Sequence, residues 1–172
     1  IGEAGGLMVL SKEKSNLTLR GIGESSDAYH VSSPDPTGEG AVSAMKMALE
    51  DAKLTPSDIG YINLHGTATR LNDAMEAKAV ASVLGDKVPC SSTKYMTGHT
   101  LGAAGILESC ILCYILENDL ALPIQSTSIR NLDKELDECG LITQRIKANK
   151  PYMMSNSFAF GGNNASVIIG LE

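Results

Sequence analysis

The chain has 172 residues, of which 43% are hydrophobic and 20% charged, with a formal net charge of −6. This length suffices for one domain with its own core, and the acidic balance excludes the basic surface that binds nucleic acid. No apolar stretch approaches the roughly 18 residues that span a bilayer, since the most apolar run, at 106–116, contains Glu108. We therefore expect one globular domain in the cytosol, with neither a membrane nor a nucleic acid as partner.

The N-terminal residues predict a pair of strands. "GLMVL" at 6–10 is apolar, and "LTLRGIG" at 17–23 alternates apolar and polar residues, so a polar turn would join the two strands. The chain lacks an initiator Met and enters directly into a Gly-rich turn. We expect it to be a piece of a longer protein.

A helix and a strand follow a long polar connection. That connection covers residues 25–40, and long loops inside compact domains are often functional. Residues 41–54 predict a helix, because apolar residues recur at helical spacing from Val42 to Ala52. The apolar run at 59–66 predicts a strand.

The second helix is predicted over 73–85, where Asp73 and Glu76 have capping-box spacing and Gly85 ends the pattern. Further along the chain we predict a strand at 88–92, a helix at 101–118, an irregular segment at 120–150, and strands at 152–158 and 165–172. Strands that alternate with helices indicate an α/β fold, and the strand pairs make its sheet mixed.

Two polar clusters follow strands of this predicted sheet. "HGTATRLND" begins with His65, and "SSTKYMTGHTLGAAG" contains Lys94 and His99 in a loop between a strand and a helix. Ligands of α/β sheets bind at the edge where the C-terminal ends of the strands lie. Neutral imidazoles can donate hydrogen bonds to a developing oxyanion. We expect Lys94 to be able to pair with Glu108 and to tune a nearby histidine through its charge. The alternatives are a histidine that caps its strand and a lysine on the surface.

A third cluster, "NSFAFGGNN" at 156–164, contains Gly161 and Gly162. Glycines adopt backbone conformations that other residues resist, so a tight turn there could present an N–H group to a substrate. A hairpin turn without a ligand is the alternative.

The four cysteines do not form a disulfide framework. Cys110 and Cys113 are spaced as Cys-x-x-Cys inside an apolar helical run with no second pair, which favours buried thiols over a zinc or redox site. "GIGESS" at 21–26 lacks the third glycine of a dinucleotide fingerprint. We expect neither a metal nor a bound cofactor.

The three clusters together resemble the C-terminal half of the β-ketoacyl-acyl-carrier-protein synthases, the condensing enzymes of fatty-acid and polyketide synthesis. "GEAGGLMVL" and "DAYHVSSPDPTGEG" match the same family in the same order, so the resemblance covers residues 1–172 almost completely. It implies a thiolase-like half with a mixed five-stranded sheet covered by helices. It also implies elongation of an acyl chain by decarboxylation of a malonyl thioester carried on the phosphopantetheine of acyl carrier protein.

The resemblance also implies roles for individual residues. His65 and His99 would be the two active-site histidines that hydrogen-bond the malonyl thioester carbonyl, with Lys94 and Glu108 in support. Because both would address one carbonyl, we expect their imidazoles to lie about 4 to 8 Å apart, with Lys94 beside them. The residues implied in substrate binding are Thr67 and Thr69, which would hydrogen-bond the phosphopantetheine arm, and Phe158, Phe160, Gly161 and Gly162 around the gate loop. Phe160 matches the gating phenylalanine, whose backbone N–H contributes to the oxyanion hole.

Two departures from the family pattern affect these expectations. Ala159 replaces a glycine in the gate loop, and its Cβ would restrict the neighbouring peptide. The family's nucleophilic cysteine lies in the N-terminal half, and no cysteine of this chain has its sequence context. We therefore expect the chain alone to be inactive, and to need that N-terminal half in a homodimer or a ketosynthase heterodimer. The alternatives are a non-catalytic partner subunit that determines chain length, and a decarboxylating variant in which the nucleophile is replaced.

Overall fold

The computed structural model describes residues 1–125, 132–158 and 160–172. In chain order its strands and α-helices are β1 (Leu17–Ser26), α1 (Glu39–Ala52), β2 (Ile59–Asn63), α2 (Arg70–Leu84), β3 (Cys90–Ser91), α3 (Lys94–Thr97), α4 (Ala104–Glu117), β4 (Tyr152–Phe158) and β5 (Asn163–Leu171). Single turns of 3-10 helix occur at Pro56–Asp58, Leu101–Ala103 and Phe160–Gly162. Within the described residues, no helix is long and apolar enough to cross a bilayer.

The five strands form one mixed sheet in the order β1-β5-β4-β2-β3. β5 pairs antiparallel with β1 and β4, whereas β2 pairs parallel with β4 and β3. The predicted α/β fold with a mixed five-stranded sheet is therefore confirmed. β2 is the central member of the parallel part, and all five of its residues are buried.

Alternate residues of the central strands face two separate cores. Ile62, Met154 and Ile168 pack with α1 and α2 on one face of the sheet. Tyr61 and Met153 pack with α4 on the other face. This period of two is the strand geometry itself, and it accounts for apolar runs in strands that are covered on both sides.

The predicted strand at 6–10 is wrong. Residues 1–16 contain no strand, and Leu7 and Val9 are 98% and 92% exposed. β1 instead takes β5 as its antiparallel partner, from Leu17 opposite Leu171 onward. An apolar run predicts a strand only where a neighbouring strand supplies hydrogen-bond partners.

The predicted capping box at the start of α2 is also wrong. The helix begins at Arg70, with Thr69 as its N-cap residue, so Asp73 and Glu76 lie inside it. Glu76 is 3% exposed, and its carboxylate points away from the helix terminus toward the loop that follows β2. Gly85 ends the helix as predicted.

Candidate active site

The two histidine loops leave the same edge of the sheet. β2 and β3 run parallel, with Asn63 opposite Ser91, so the chain segments after both strands emerge side by side. The ring centroids of His65 and His99 lie 5.4 Å apart, with the rings nearly perpendicular at 86°. This separation falls within the range expected from the sequence.

His65 is fixed by a buried carboxylate. The backbone N–H groups of His65 and Gly66 donate to the two oxygens of Glu76, at 2.7 and 2.8 Å. The Ser92 hydroxyl donates to the Gly66 carbonyl at 3.1 Å, which joins the loop after β2 to the loop after β3. Gly66 has a φ of 45°, and a Cβ at this position would lie 2.4 Å from the Cβ of Ser92. The local fold therefore needs glycine here.

The side chain of His65 does not cap its strand. It is 5% exposed, and its Nδ1 has no hydrogen-bond partner among the described residues. A histidine retained to cap a strand end would bond to backbone groups through its ring, whereas here Glu76 performs that task through its carboxylate. The capping alternative is not supported.

The orientation of His99 follows from one backbone contact. The N–H of Leu101 donates to His99 Nδ1 at 3.2 Å. Leu101 has a φ of 53°, a left-handed conformation that costs energy for a residue with a Cβ. Because Nδ1 accepts, the proton of the neutral ring resides on Nε2, which makes Nε2 a hydrogen-bond donor.

Both imidazoles are held in the neutral form. Burial, the charge of Lys94 and the neighbouring His99 together lower the pKa of His65 to about 3, with burial the largest cause. Burial and the Lys94 charge also lower the pKa of His99. Near pH 7 the pair therefore consists of neutral rings suited to donating hydrogen bonds.

Lys94 lies within the site as one half of a buried ion pair. Its ammonium contacts the carboxylate of Glu108 on α4, and only 6% and 1% of the two side chains are exposed. Burial raises the pKa of Glu108, and the contact with Lys94 opposes that rise. The surface-lysine alternative is wrong. The loop placement is wrong as well, since Lys94 begins the short helix α3.

Thr67 and Thr69 lie together in the loop that follows His65. Their hydroxyls are 3.0 Å apart and hydrogen-bonded, with Thr69 exposed and Thr67 half-buried. Phe158, at the end of β4, is buried with its ring centroid 6.1 Å from that of His65. Phe160, two residues further on, is 76% exposed. Phe158 thus lies beside His65, and Phe160 faces outward.

The Phe160–Gly162 turn is tied to the long polar loop that precedes α1. Gly161 and Gly162 have φ values of 81° and 75°, and the Gly161 N–H donates to the Val31 carbonyl at 2.8 Å. Asp27 donates its N–H to the Gly162 carbonyl at 2.8 Å and accepts the Asn164 side-chain amide at 2.6 Å. Ala159 lies outside the described residues, so its effect on gating stays a prediction.

Glu76 and Asp27 are the site residues that sequence reasoning missed. Glu76 falls on the buried stripe of α2 with Asn72 and Val80, four residues to either side. A carboxyl on a buried helix stripe indicates that it accepts hydrogen bonds in the interior. The spacing between Asp73 and Glu76 instead led to a capping box being predicted. Asp27 carries no local signal, because its partners Gly162 and Asn164 lie over 130 residues away along the chain.

The thiols occupy other parts of the fold. Cys110 and Cys113 lie on α4 and are half-buried, so they are less enclosed than expected. Cys90 and Cys139 lie together at the outer edge of the sheet. All four thiols are free.

Comparison with known proteins gives concordant matches. Residues 17–128 match the family model described as beta-ketoacyl synthase, C-terminal domain. The 3-oxoacyl-[acyl-carrier-protein] synthase 2 of Coxiella burnetii is 38% identical over 98% of this chain and 43% of its own length. Synthase 1 of Haemophilus influenzae is 41% identical over 95% of this chain and 41% of its own. The chain thus spans about two fifths of these relatives.

Solved structures show the same similarity. A chain of the ketosynthase (ApeO) in complex with its chain length factor (ApeC) from Xenorhabdus doucetiae is 51% identical, with a TM-score of 0.92. The match covers 94% of this chain and 41% of that one. A beta-ketoacyl synthase from Burkholderia phymatum is 36% identical with a TM-score of 0.83, over 91% of this chain and 38% of that one.

Proposed function

The chain belongs to the beta-ketoacyl synthases, whose C-terminal domain it matches, and from this premise we propose that it is the C-terminal half of a 3-oxoacyl-acyl-carrier-protein synthase. Such an enzyme elongates an acyl chain by decarboxylative Claisen condensation with malonyl-acyl-carrier-protein, in fatty-acid or polyketide and polyene synthesis. The thiolase-like domain would span residues 1–172 and supply the malonyl-binding groups.

The histidine pair is the observation that carries this proposal. Two neutral imidazoles 5.4 Å apart can both reach one thioester carbonyl oxygen. As the bond to the departing carbon dioxide breaks, its electron pair moves into the thioester and places negative charge on that oxygen. Hydrogen bonds from His65 and His99 stabilise the enolate, and no proton has to be abstracted.

Lys94 supports this chemistry through its charge rather than by direct contact with the substrate. Its ammonium lowers the pKa of both imidazoles, so they remain neutral donors. Glu108 holds the ammonium in place. Thr67 and Thr69 offer hydroxyls in the loop beside His65, where they would bind the phosphopantetheine arm of the carrier.

Condensation also requires an acyl group on a thiol, and we propose that this thiol lies in an N-terminal half of the same enzyme. The enolate carbon would attack that thioester, form the new carbon–carbon bond and release the thiolate. The chain alone would then catalyse no condensation. Relatives support the partners, because solved structures include ketosynthases with a chain length factor and with an acyl carrier protein. A homodimer or ketosynthase heterodimer in the cytosol is our proposal.

The second candidate function is a non-catalytic chain-length-determining subunit. It is favoured by the similarity to a solved complex of a ketosynthase with its chain length factor. His65, His99 and Lys94 favour the enzyme, because a subunit without chemistry would not need a pair of adjacent histidines with lowered pKa values. A decarboxylating variant remains the third candidate.

An assay of the full-length protein distinguishes the three candidate functions. It would be supplied with malonyl- and acyl-loaded carrier protein, alone and with any partner subunit purified alongside it, and both carbon dioxide and elongated product would be measured. We expect both products in equal amounts. Carbon dioxide without elongation would indicate the decarboxylating variant. The absence of both, with the partner still active by itself, would indicate the non-catalytic subunit.

A further inference from the structure

Two cysteines lie side by side at the outer edge of the sheet. Cys90 belongs to the edge strand β3, and its sulfur lies 3.8 Å from the sulfur of Cys139. The Cys90 thiol also approaches the Cys139 carbonyl at 2.9 Å. The two thiols are therefore in direct contact, although 49 residues separate them in the chain.

The segment that carries Cys139 extends the sheet by a short stretch. The Cys90 N–H donates to the Gly140 carbonyl, and the Ile142 N–H donates to the Cys90 carbonyl, both at 3.0 Å. Cys90 thereby pairs parallel with Leu141 as an isolated bridge. β3 is anchored in the sheet, whereas this partner segment is irregular, so the partner segment can adjust toward it.

We propose that Cys90 and Cys139 are a reversible dithiol–disulfide pair. A disulfide has a sulfur–sulfur bond of about 2.05 Å, so the observed separation must shorten by roughly 1.8 Å. The backbone pairing places Cys90 opposite Leu141, two residues beyond Cys139, so the 139–142 segment must shift for this bond to form. None of the roles proposed for the histidine site uses either thiol.

The two thiols differ in the way that stepwise exchange requires. Cys139 is half-buried and can be reached from solvent, whereas Cys90 is fully buried. The hydrogen bond from Cys90 lowers the pKa of the Cys139 thiol, which favours Cys139 as the first nucleophile. That hydrogen bond and burial raise the pKa of Cys90, which suits the slower, second thiol.

A low-molecular-weight disulfide such as oxidised glutathione is the oxidant. The Cys139 thiolate attacks one glutathione sulfur and displaces the other as a thiolate. Cys90 then loses its proton, attacks the Cys139 sulfur and displaces the second glutathione. Two protein S–H bonds and one glutathione disulfide are consumed, and one protein disulfide and two glutathione thiols are formed. Two electrons pass from the protein to glutathione.

Oxidation would fasten the 139–142 segment to β3, four residues before Lys94. The new bond closes a loop of about 50 residues, which removes entropy from the unfolded chain. For a domain of this size we expect the melting temperature to rise by roughly 5 to 15 °C. Reduction should restore the original value.

Peptide mapping of the full-length protein tests the pair directly. The protein would be incubated with oxidised glutathione, its remaining thiols blocked with N-ethylmaleimide, and its peptides analysed by mass spectrometry. We expect a cross-linked peptide that contains Cys90 and Cys139, about 2 Da lighter than its two parts combined and absent after dithiothreitol. Cys110 and Cys113 should be alkylated. Alkylation of both Cys90 and Cys139 after oxidation, or a glutathione adduct that persists on Cys139, would overturn the proposal.

Matched variants show which of the four thiols produce the cross-link and the rise in melting temperature. The double variant Cys110→Ser/Cys113→Ser should keep both the cross-link and the rise in melting temperature. Cys139→Ser should lose both while melting under reducing conditions like the reduced wild type. If Cys139→Ser failed to fold, the wild-type peptide map would still decide the question, because it needs no variant. A rise in melting temperature that survives in folded Cys139→Ser would contradict the assignment.

Discussion

The ammonium of Lys94 and the carboxylate of Glu108 form a contact that the fold excludes from water, with 6% and 1% of their side chains exposed. The pair joins α3 to α4, and the charge of its ammonium lowers the pKa of both His65 and His99. A buried pair of this kind is costly to break, because removal of one partner leaves an uncompensated charge.

Removal of one partner should therefore destabilise the domain more than removal of both. Glu108→Ala should lower the free energy of unfolding by about 3 to 5 kcal/mol. Lys94→Met/Glu108→Leu should recover most of that stability without restoring decarboxylation, since the histidines lose the neighbouring charge. Denaturant unfolding of the single variant, the double variant and wild type measures these free energies. Equal destabilisation by the single and double variants would contradict it.

Glu76 should act as a positioning residue for His65. In Glu76→Gln one of the two oxygens becomes an amide NH₂, which cannot accept the N–H of His65 or Gly66. We expect a loss of about 1 to 3 kcal/mol in unfolding free energy, typical of leaving a buried backbone N–H without an acceptor. Decarboxylation should fall more than acyl transfer to the nucleophile. Glu117→Gln, at an exposed position of α4, is the matched control and should change neither quantity.

Gly66 should tolerate no side chain. In Gly66→Ala the new Cβ meets Ser92, and the φ of 45° disfavours alanine as well. We expect a loss of about 1 to 3 kcal/mol in stability, with decarboxylation reduced further because His65 is displaced. Gly102→Ala is the control, since nothing lies within 4 Å of its added Cβ. Thermal melting and the decarboxylation assay should leave Gly102→Ala close to wild type; similar losses in both variants would refute this account of Gly66.

The lowered pKa of His65 predicts a pH dependence of stability. This imidazole titrates near 6.5 in the unfolded chain and near 3 in the folded one. Between these values the unfolded chain binds more protons, so the contribution of His65 to stability is present in full above pH 6.5 and is lost as the pH falls toward 3. His65→Gln cannot take up that proton, and it should lose less stability than wild type over this range.

The free energy of unfolding of wild type and His65→Gln, measured from pH 7 downward, tests this difference. Burial raises the pKa of Glu76 to about 7, which gives a contribution of opposite sign between pH 4.5 and 7. That contribution is common to wild type and His65→Gln, so it cancels when the two are subtracted. Parallel stability curves for the two proteins would show that His65 is not buried as a neutral ring.

The sequence predicted a mixed α/β sheet with histidines just after its strand ends because both features depend on local signals. Strand ends and the polar residues after them are read from hydrophobic patterns, and parallel strands then bring His65 and His99 together. The roles of Glu76 and Asp27 depend on contacts between distant segments, which no local pattern contains. The strand predicted at 6–10 is wrong for the same reason. A strand needs a neighbouring strand as hydrogen-bond partner, and the local sequence does not show whether one is present.

The most direct test of the central claim is the rate of malonyl decarboxylation in full-length His65→Ala and His99→Ala. Loss of one oxyanion donor costs on the order of 10² to 10³ in rate. We expect each variant to lose decarboxylation by about that factor while acyl transfer to the N-terminal nucleophile remains measurable. The control Tyr114→Ala changes an exposed residue of α4 and should decarboxylate like wild type. Near-normal malonyl decarboxylation by both histidine variants would contradict the account.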